Sequence, residues 1–214
     1  MIKLLNLIPG YIVLLSLVYA LANDNLNINV FARPVVHISM VEQAGVKPLI
    51  PDTSINNRLF LSNIASIYRE FGSIDSVLQD IDGDGFPEMY VKNKPGTQYL
   101  KMIHHLGSLR NTFGEFEFGY DSDLPDSIPF TATDIPAFCT GSGVCLGMPL
   151  AEVIRIKGQH YKKTLINKKE VLISYELKYW DSPFLKRRHM DIYYAHYTCK
   201  DGKVTKVKFG FDYL

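Results

Sequence analysis

Cysteine is scarce in this chain: three residues, Cys139, Cys145 and Cys199, in 214. They leave room for at most one bridge and a leftover thiol. An excess of charge of either sign is also missing, with 23 basic and 22 acidic residues, which excludes a general electrostatic attraction to nucleic acid or to an anionic membrane. No apolar run reaches the roughly 20 residues that a membrane-spanning helix needs; the longest clean stretch covers 11–22. His-Glu-x-x-His and Cys/His zinc spacings are absent, and so is the Gly-x-Ser-x-Gly elbow of a nucleophilic serine. The sequence therefore carries no recognisable catalytic set.

What is present begins with a leader. Lys3 precedes an apolar stretch broken by Pro9-Gly10 and ending in Ala20-Leu21-Ala22, the order of parts in a removable signal peptide spanning 1–22. Signal peptidase accepts small side chains beside the cut, so cleavage is expected after Ala22. Loss of Lys3 leaves 22 basic against 22 acidic residues. Asn23, not cysteine, stands directly after Ala22, so no lipid-bearing membrane anchor is expected and the destination reads as periplasmic or secreted. An oxidising compartment favours a Cys139–Cys145 disulfide across the turn-rich Thr-Gly-Ser-Gly-Val, with Cys145–Cys199 as the alternative. Gly141-Ser142-Gly143 is read as that turn.

Residues 23–57 read as an extended N-terminal arm with short apolar alternations and prolines at 34, 48 and 51. Beyond it two stretches overlay. LFLSNIASIYREFG (59–72) matches CLGMPLAEVIRIKG (145–158). In the first, Ile64, Ile67, Tyr68 and Phe71 form one helical stripe, and in the second Leu150, Val153 and Ile154 keep the spacing while Lys157 takes the last place. A glycine stops each helix, Ser62 is the expected cap of the first, and Pro149 suits the first turn of the second. Strand-like runs follow, and the stretches close on FEFGYD (116–121) and VKFGFD (207–212). The expected fold class is α+β, two tandem units of a short helix on an antiparallel sheet: 58–121, a connector over 122–142, and 143–214. Strands are expected over 98–105, 113–120, 171–180, 190–199 and 204–211, the last two joined by a Lys-Asp-Gly turn.

The CLGMPLAEVIRIKG segment resembles the signature of the SmpA/OmlA lipoproteins of outer-membrane assembly, where Leu-Gly-Met leads into a short helix ending in glycine. The tandem layout is similar to that of the β-lactamase inhibitor proteins. Pro149 stands where those signatures carry a capping serine, Glu152 keeps the capping-box position, and the lipid-bearing cysteine is absent. The resemblance implies a fold and a habit of binding other proteins through the exposed sheet face and loops. It transfers no catalytic residue.

The sharpest local motif is DIDGDGFPE (80–88). Oxygens of Asp80, Asp82 and Asp84, the Phe86 carbonyl and the Glu88 carboxylate have the alternate spacing that wraps a calcium ion, with Gly83 and Gly85 permitting the turn. The loop resembles those of FG-GAP repeats, in a single copy. It is not a complete EF-hand, since Val91 holds the twelfth position. The acidic hairpin alone is the competing reading, and a bound calcium is expected to be structural. The histidines read as ordinary surface or half-buried residues; His104-His105 would point to opposite faces of a strand, and His160, His189 and His196 are scattered. Lys186-Arg187-Arg188-His189 reads as a basic loop tip between strands. Tyrosine-rich strands put half their aromatics away from the core, which suits protein binding as well as cross-strand pairing. The expectation is an exported, non-enzymatic module that binds an unknown protein partner, inhibitor-like in character, with a small secreted hydrolase as the alternative.

Overall fold

In FEFGYD and VKFGFD every second side chain is apolar, the period a strand needs to keep one face in a core. The computed structural model describes residues 48–81, 83, 85–105, 112–125 and 127–212. The leader, the 23–47 part of the arm, Asp82, Asp84 and Tyr213 lie outside the described residues.

Among the described residues the fold mixes α and β, with three short helices and one large sheet. A hairpin of β1 (Ser54–Ile55) and β2 (Leu59–Phe60) leads into α1 (Ile64–Phe71), followed by β3 (Glu88–Lys92), β4 (Gln98–Ile103), β5 (Glu115–Tyr120) and β6 (Thr131–Ala132). Next come α2 (Leu150–Lys157), β7 (Lys162–Asn167), β8 (Glu170–Lys178), α3 (Pro183–Arg188), β9 (Ile192–Lys200) and β10 (Lys203–Asp212). Strands β3 to β10 make one eight-stranded sheet in the order β6-β3-β4-β5-β10-β9-β8-β7. Every pairing is antiparallel except β6 on β3. The β9–β10 turn forms where expected, with Asp201 and Gly202 both at positive φ, 50° and 77°, the twist that a tight hairpin requires.

The two closing segments meet at the centre of this sheet. Phe116 pairs with Phe209 and Phe118 with Val207. These side chains, with Met102, Ile173, Tyr175, Tyr193, Tyr197 and Phe211, belong to one buried cluster that also takes Ile67 of α1, Val153 of α2 and Leu185 of α3. The described end of the arm joins it too, for Ile55 is fully buried.

At its polar centre Lys157 Nζ lies 2.7 Å from Asp52 Oδ2, both side chains 1% exposed. Asp52 also accepts from the Tyr197 hydroxyl at 3.0 Å and from the Ser142 N–H at 3.0 Å, and its own N–H donates to the Tyr193 hydroxyl at 2.8 Å. Each charge is thus compensated inside the core. Cys139 and Cys145 are bonded, sulfur to sulfur 2.05 Å, as expected from the turn between them. Cys199 is buried and unpaired with another cysteine; burial pushes its thiol up to about 11.

Several local expectations are corrected. Asn63, not Ser62, caps α1, accepting the Ser66 N–H at 3.0 Å; Ser62 instead has a left-handed φ of 55°. Residues 59–60 form strand β2, ahead of the cap. Pro149 sits at the cap of α2, one place before its first turn. The basic tip is helical: Ser182 accepts the Leu185 N–H at 3.4 Å and Pro183 occupies the first turn, so 183–188 closes into α3 and ends on left-handed His189. Trp180 leaves β8 for a short 3-10 turn over Tyr179–Asp181.

Candidate functional site

Side chains that alternate with the core rows point to the other face of the sheet. Across β4, β5, β10 and β9 the register sets Lys101, Glu117, Lys208 and His196 in one row, and Ile103, Glu115, Gly210 and Tyr194 in the next. Over the β3–β5 side this face is packed: Phe130 of the connector lies against Tyr90, ring centroids 6.0 Å apart, and Lys92 Nζ sits 4.1 Å from the Phe130 ring centroid. Over β8, β9 and β10 it forms an open groove of about 460 Å³ lined by His105, Glu115, Glu176, Ile192, Tyr194, His196, Lys208 and Asp212. Three of these come from β9, two from β10 and one each from β5 and β8, with His105 just beyond β4.

Glu115 organises the groove. Its side chain is only 3% exposed, with Lys208 Nζ 2.8 Å from Oε1 and His105 Nε2 3.7 Å from Oε2. The Tyr194 hydroxyl donates to Oε2. Burial pushes the Glu115 carboxyl upward, but His105 and the Lys208 ammonium outweigh it and hold the group below its ordinary range. Burial, aided by Lys208, pushes the His196 imidazole below its ordinary range against the opposing pull of Glu115 and Glu176. Near neutral pH the groove therefore presents a fixed carboxylate–ammonium pair beside a neutral imidazole that both donates and accepts. Tyr194 and His196 rings stand 5.2 Å apart.

Close packing places this floor. A Cβ at Gly210 would meet the Gly114 carbonyl oxygen at 2.6 Å and Glu115 Cα at 2.9 Å, so the glycine lets β5 and β10 approach beneath Tyr194. A Cβ at Gly119 would meet Tyr99 Cε1 at 2.7 Å; the Tyr99 hydroxyl donates to Glu117 Oε1 at 2.8 Å. Each closing motif thus spends its glycine on this face. Comparison with protein-family models, curated proteins and solved structures gives no match. The groove has to be read from its own chemistry.

The residues picked out in the sequence lie elsewhere. Asp80 Oδ2 accepts the Gly85 N–H at 3.1 Å, and Gly83 and Gly85 take left-handed φ of 71° and 86°, so the loop wraps as its glycines suggest. Glu88 is in β3, 1% exposed, with Lys101 Nζ 2.5 Å from its Oε2; Phe86 packs its ring on His105 at 5.3 Å. Among the described residues no group of three or more His, Cys, Asp or Glu is placed to hold a metal ion, and Asp82 and Asp84 are outside them. The sequence reading passes over Glu115 and Lys208, counts Tyr194 only among the strand aromatics, and takes His105 and His196 as ordinary histidines. The available signal was the polar residue between the apolar pair of each closing motif, Glu117 and Lys208, which marks a second, polar face.

Proposed function

We propose that this chain is an exported binding protein that engages another macromolecule through the open face of β8, β9 and β10. The groove carries this reading: half-exposed Tyr194 and His196 stand on a rigid sheet beside charges already fixed by partners, so little ordering is needed on association. Aromatic and hydrogen-bonding groups of this kind suit protein recognition. Among the described residues no helix is long and apolar enough to cross a membrane. Capture from periplasm or medium with the native chain, against a Tyr194→Ala/His196→Ala chain, tests the reading. A partner retained only by the native groove supports it; one retained equally by both, or none, overturns it.

The tandem arrangement is part of the proposal. One helix precedes the β3-β4-β5 meander, another precedes β7 to β10, and the two closing strands pair with each other, as two related halves would. The likeness to the assembly lipoproteins and to the tandem inhibitors stands on the same footing. Export is supported by the Cys139–Cys145 bond, which persists in an oxidising compartment; a mature chain beginning at Asn23 is the expected result of N-terminal sequencing.

We also propose that the 80–88 loop takes a structural calcium ion through Asp80, Asp82, Asp84, the Phe86 carbonyl and Glu88, the last only if it leaves Lys101. The ligand spacing and the left-handed glycines support the loop half of the set. A rise in melting temperature at millimolar calcium, lost in Asp80→Ala/Asp84→Ala, is expected; an equal rise in that variant ends the idea.

A hydrolase is the second reading, favoured by one observation: Glu115, His196 and Tyr194 share a cavity in which the imidazole is kept neutral. Turnover of ester, peptide or glycoside substrates that vanishes in both Glu115→Gln and His196→Ala would install it in place of the binding reading.

A further inference from the structure

The connection from β8 to β9, residues 179–191, carries features that neither the groove nor the core uses. Its inner side is anchored. Leu185 is fully buried, the Phe184 ring stacks on Phe211 with centroids 6.2 Å apart and planes 27° apart, and Arg188 lies over Phe184 at 5.1 Å. Its outer side is a different surface. Trp180, the only tryptophan of the chain, is 79% exposed, the most exposed large hydrophobic residue among those described. Lys178, Lys186, Arg187, Arg188 and His189 are all exposed around it in sequence. Asp181 and Asp191 are the only acids between 178 and 191, so the connection is net basic.

What sets Trp180 apart is its company: an exposed indole within a few residues of four exposed basic side chains, an apolar body and positive charges in one short connection. The indole stands on the 3-10 turn Tyr179–Asp181 with the Tyr179 ring edge-on at 5.0 Å. Indole rings settle at the headgroup level of a bilayer, and lysine and arginine beside them meet anionic lipid phosphates. Both features are met together at an anionic lipid surface, where phosphates lie beside an apolar layer. We propose that the β8–β9 connection docks the protein peripherally and reversibly on an anionic lipid surface, with Trp180 inserted at the interface and Lys186 and Arg187 on phosphates. The inference is independent of the groove and needs no spanning segment.

The test uses the full chain and its own tryptophan. Vesicles of phosphatidylcholine with phosphatidylglycerol should shift Trp180 emission to the blue and sediment the protein, whereas pure phosphatidylcholine should do neither. Each basic residue at such a surface contributes roughly a five-fold factor in binding, so Lys186→Glu/Arg187→Glu should weaken binding at least tenfold, and high salt should reverse it. Trp180→Ala should reduce sedimentation with the circular dichroism spectrum unchanged. Two results would overturn the proposal: undiminished vesicle binding by the charge-reversed variant, which would place the contact elsewhere, the leader included; or binding to soluble polyglutamate with none to vesicles, which would mean an acidic macromolecule instead.

Discussion

Glu117 on β5 and Lys208 on β10 are direct partners in the ladder that joins the two meanders. They also hold the same place in the two closing motifs, the second position of FEFGYD and of VKFGFD. The register runs outward evenly from this pair, Phe116 to Phe209 and Phe118 to Val207. A local two-fold through Glu117 and Lys208 therefore maps each motif onto the other, the geometry that two copies of one strand adopt when they pair antiparallel. It also places unlike charges where identical copies would set like charges opposite each other, and like pairs destabilise a ladder.

Gly119 tests how tightly this face is built. Alanine there would bring Cβ to 2.7 Å from Cε1 of the buried Tyr99 ring, whose hydroxyl is tied to Glu117 at 2.8 Å. We expect Gly119→Ala to lower stability by about 1–3 kcal/mol, as overpacking does. Urea unfolding of Gly119→Ala, Tyr99→Ala and the double variant measures it. The double variant should lose clearly less than the sum of the two single losses, because without the ring the added methyl has nothing to strike; strict additivity would mean the ring and the added methyl never meet.

Lys208 governs two titrations at once. It depresses Glu115 and His196 together, so Lys208→Met should raise both. Because the folded Glu115 pKa lies below its unfolded value, its contribution is present above the ordinary carboxyl value of 4.5 and is lost as pH falls through the lower folded value. His196 acts in the same direction by another route: its folded pKa lies below 6.5, so as pH drops below 6.5 the unfolded chain binds the proton first and stability declines. Melting temperature should fall on acidification in these two windows. Proton-coupled NMR shifts of His196 in native protein and Lys208→Met check the sign; a His196 pKa that stays put would remove Lys208 as a cause.

Much of the second half was legible because its signals are local. The β9–β10 hairpin, the glycine stops and the six-residue disulfide loop each depend on neighbours in the chain. The groove was not legible, since Glu115, Tyr194 and Lys208 are ordinary strand residues until the β5–β10 register brings them together across some 80 to 90 positions. Lys157 illustrates the same limit. It breaks the apolar stripe of its helix, and the partner that explains it, Asp52, lies in the arm, far away along the chain. Helix α3 was missed for another reason: Ser182-Pro183 is a helix start, but the basic residues after it drew the reading toward a loop.

The Asp52–Lys157 pair should dominate the stability of the second half. Lys157→Met leaves Asp52 buried with the Tyr197 hydroxyl and the Ser142 N–H as partners and no counter-charge. Breaking one side of a buried pair costs about 3–5 kcal/mol. Asp52→Asn/Lys157→Met removes both charges and should recover part of that loss, because the amide still accepts a hydrogen bond. Chemical denaturation of the three chains decides it, and a double variant no better than Lys157→Met would show that the pair is not what holds the arm.

Cys139 and Cys145 lie at the other end of the same arm contact. The Asn56 N–H donates to the Cys139 carbonyl at 2.9 Å, and the Asn56 side-chain oxygen accepts the Cys139 N–H at 3.3 Å, so the bridge secures a segment that the arm pairs with. For a loop this short, chain entropy gives the disulfide about 2 kcal/mol. Cys139→Ser/Cys145→Ser should lose roughly that amount and should loosen protection of the amide of Asn56 in hydrogen exchange. Cys199 serves as the internal control. With its thiol buried and raised to about 11, it should resist alkylation in the native chain and react only on unfolding, so labelling kinetics at Cys199 report global opening in both proteins. Rapid native-state alkylation of Cys199, or a double serine chain as stable as the parent, would contradict this account of the arm.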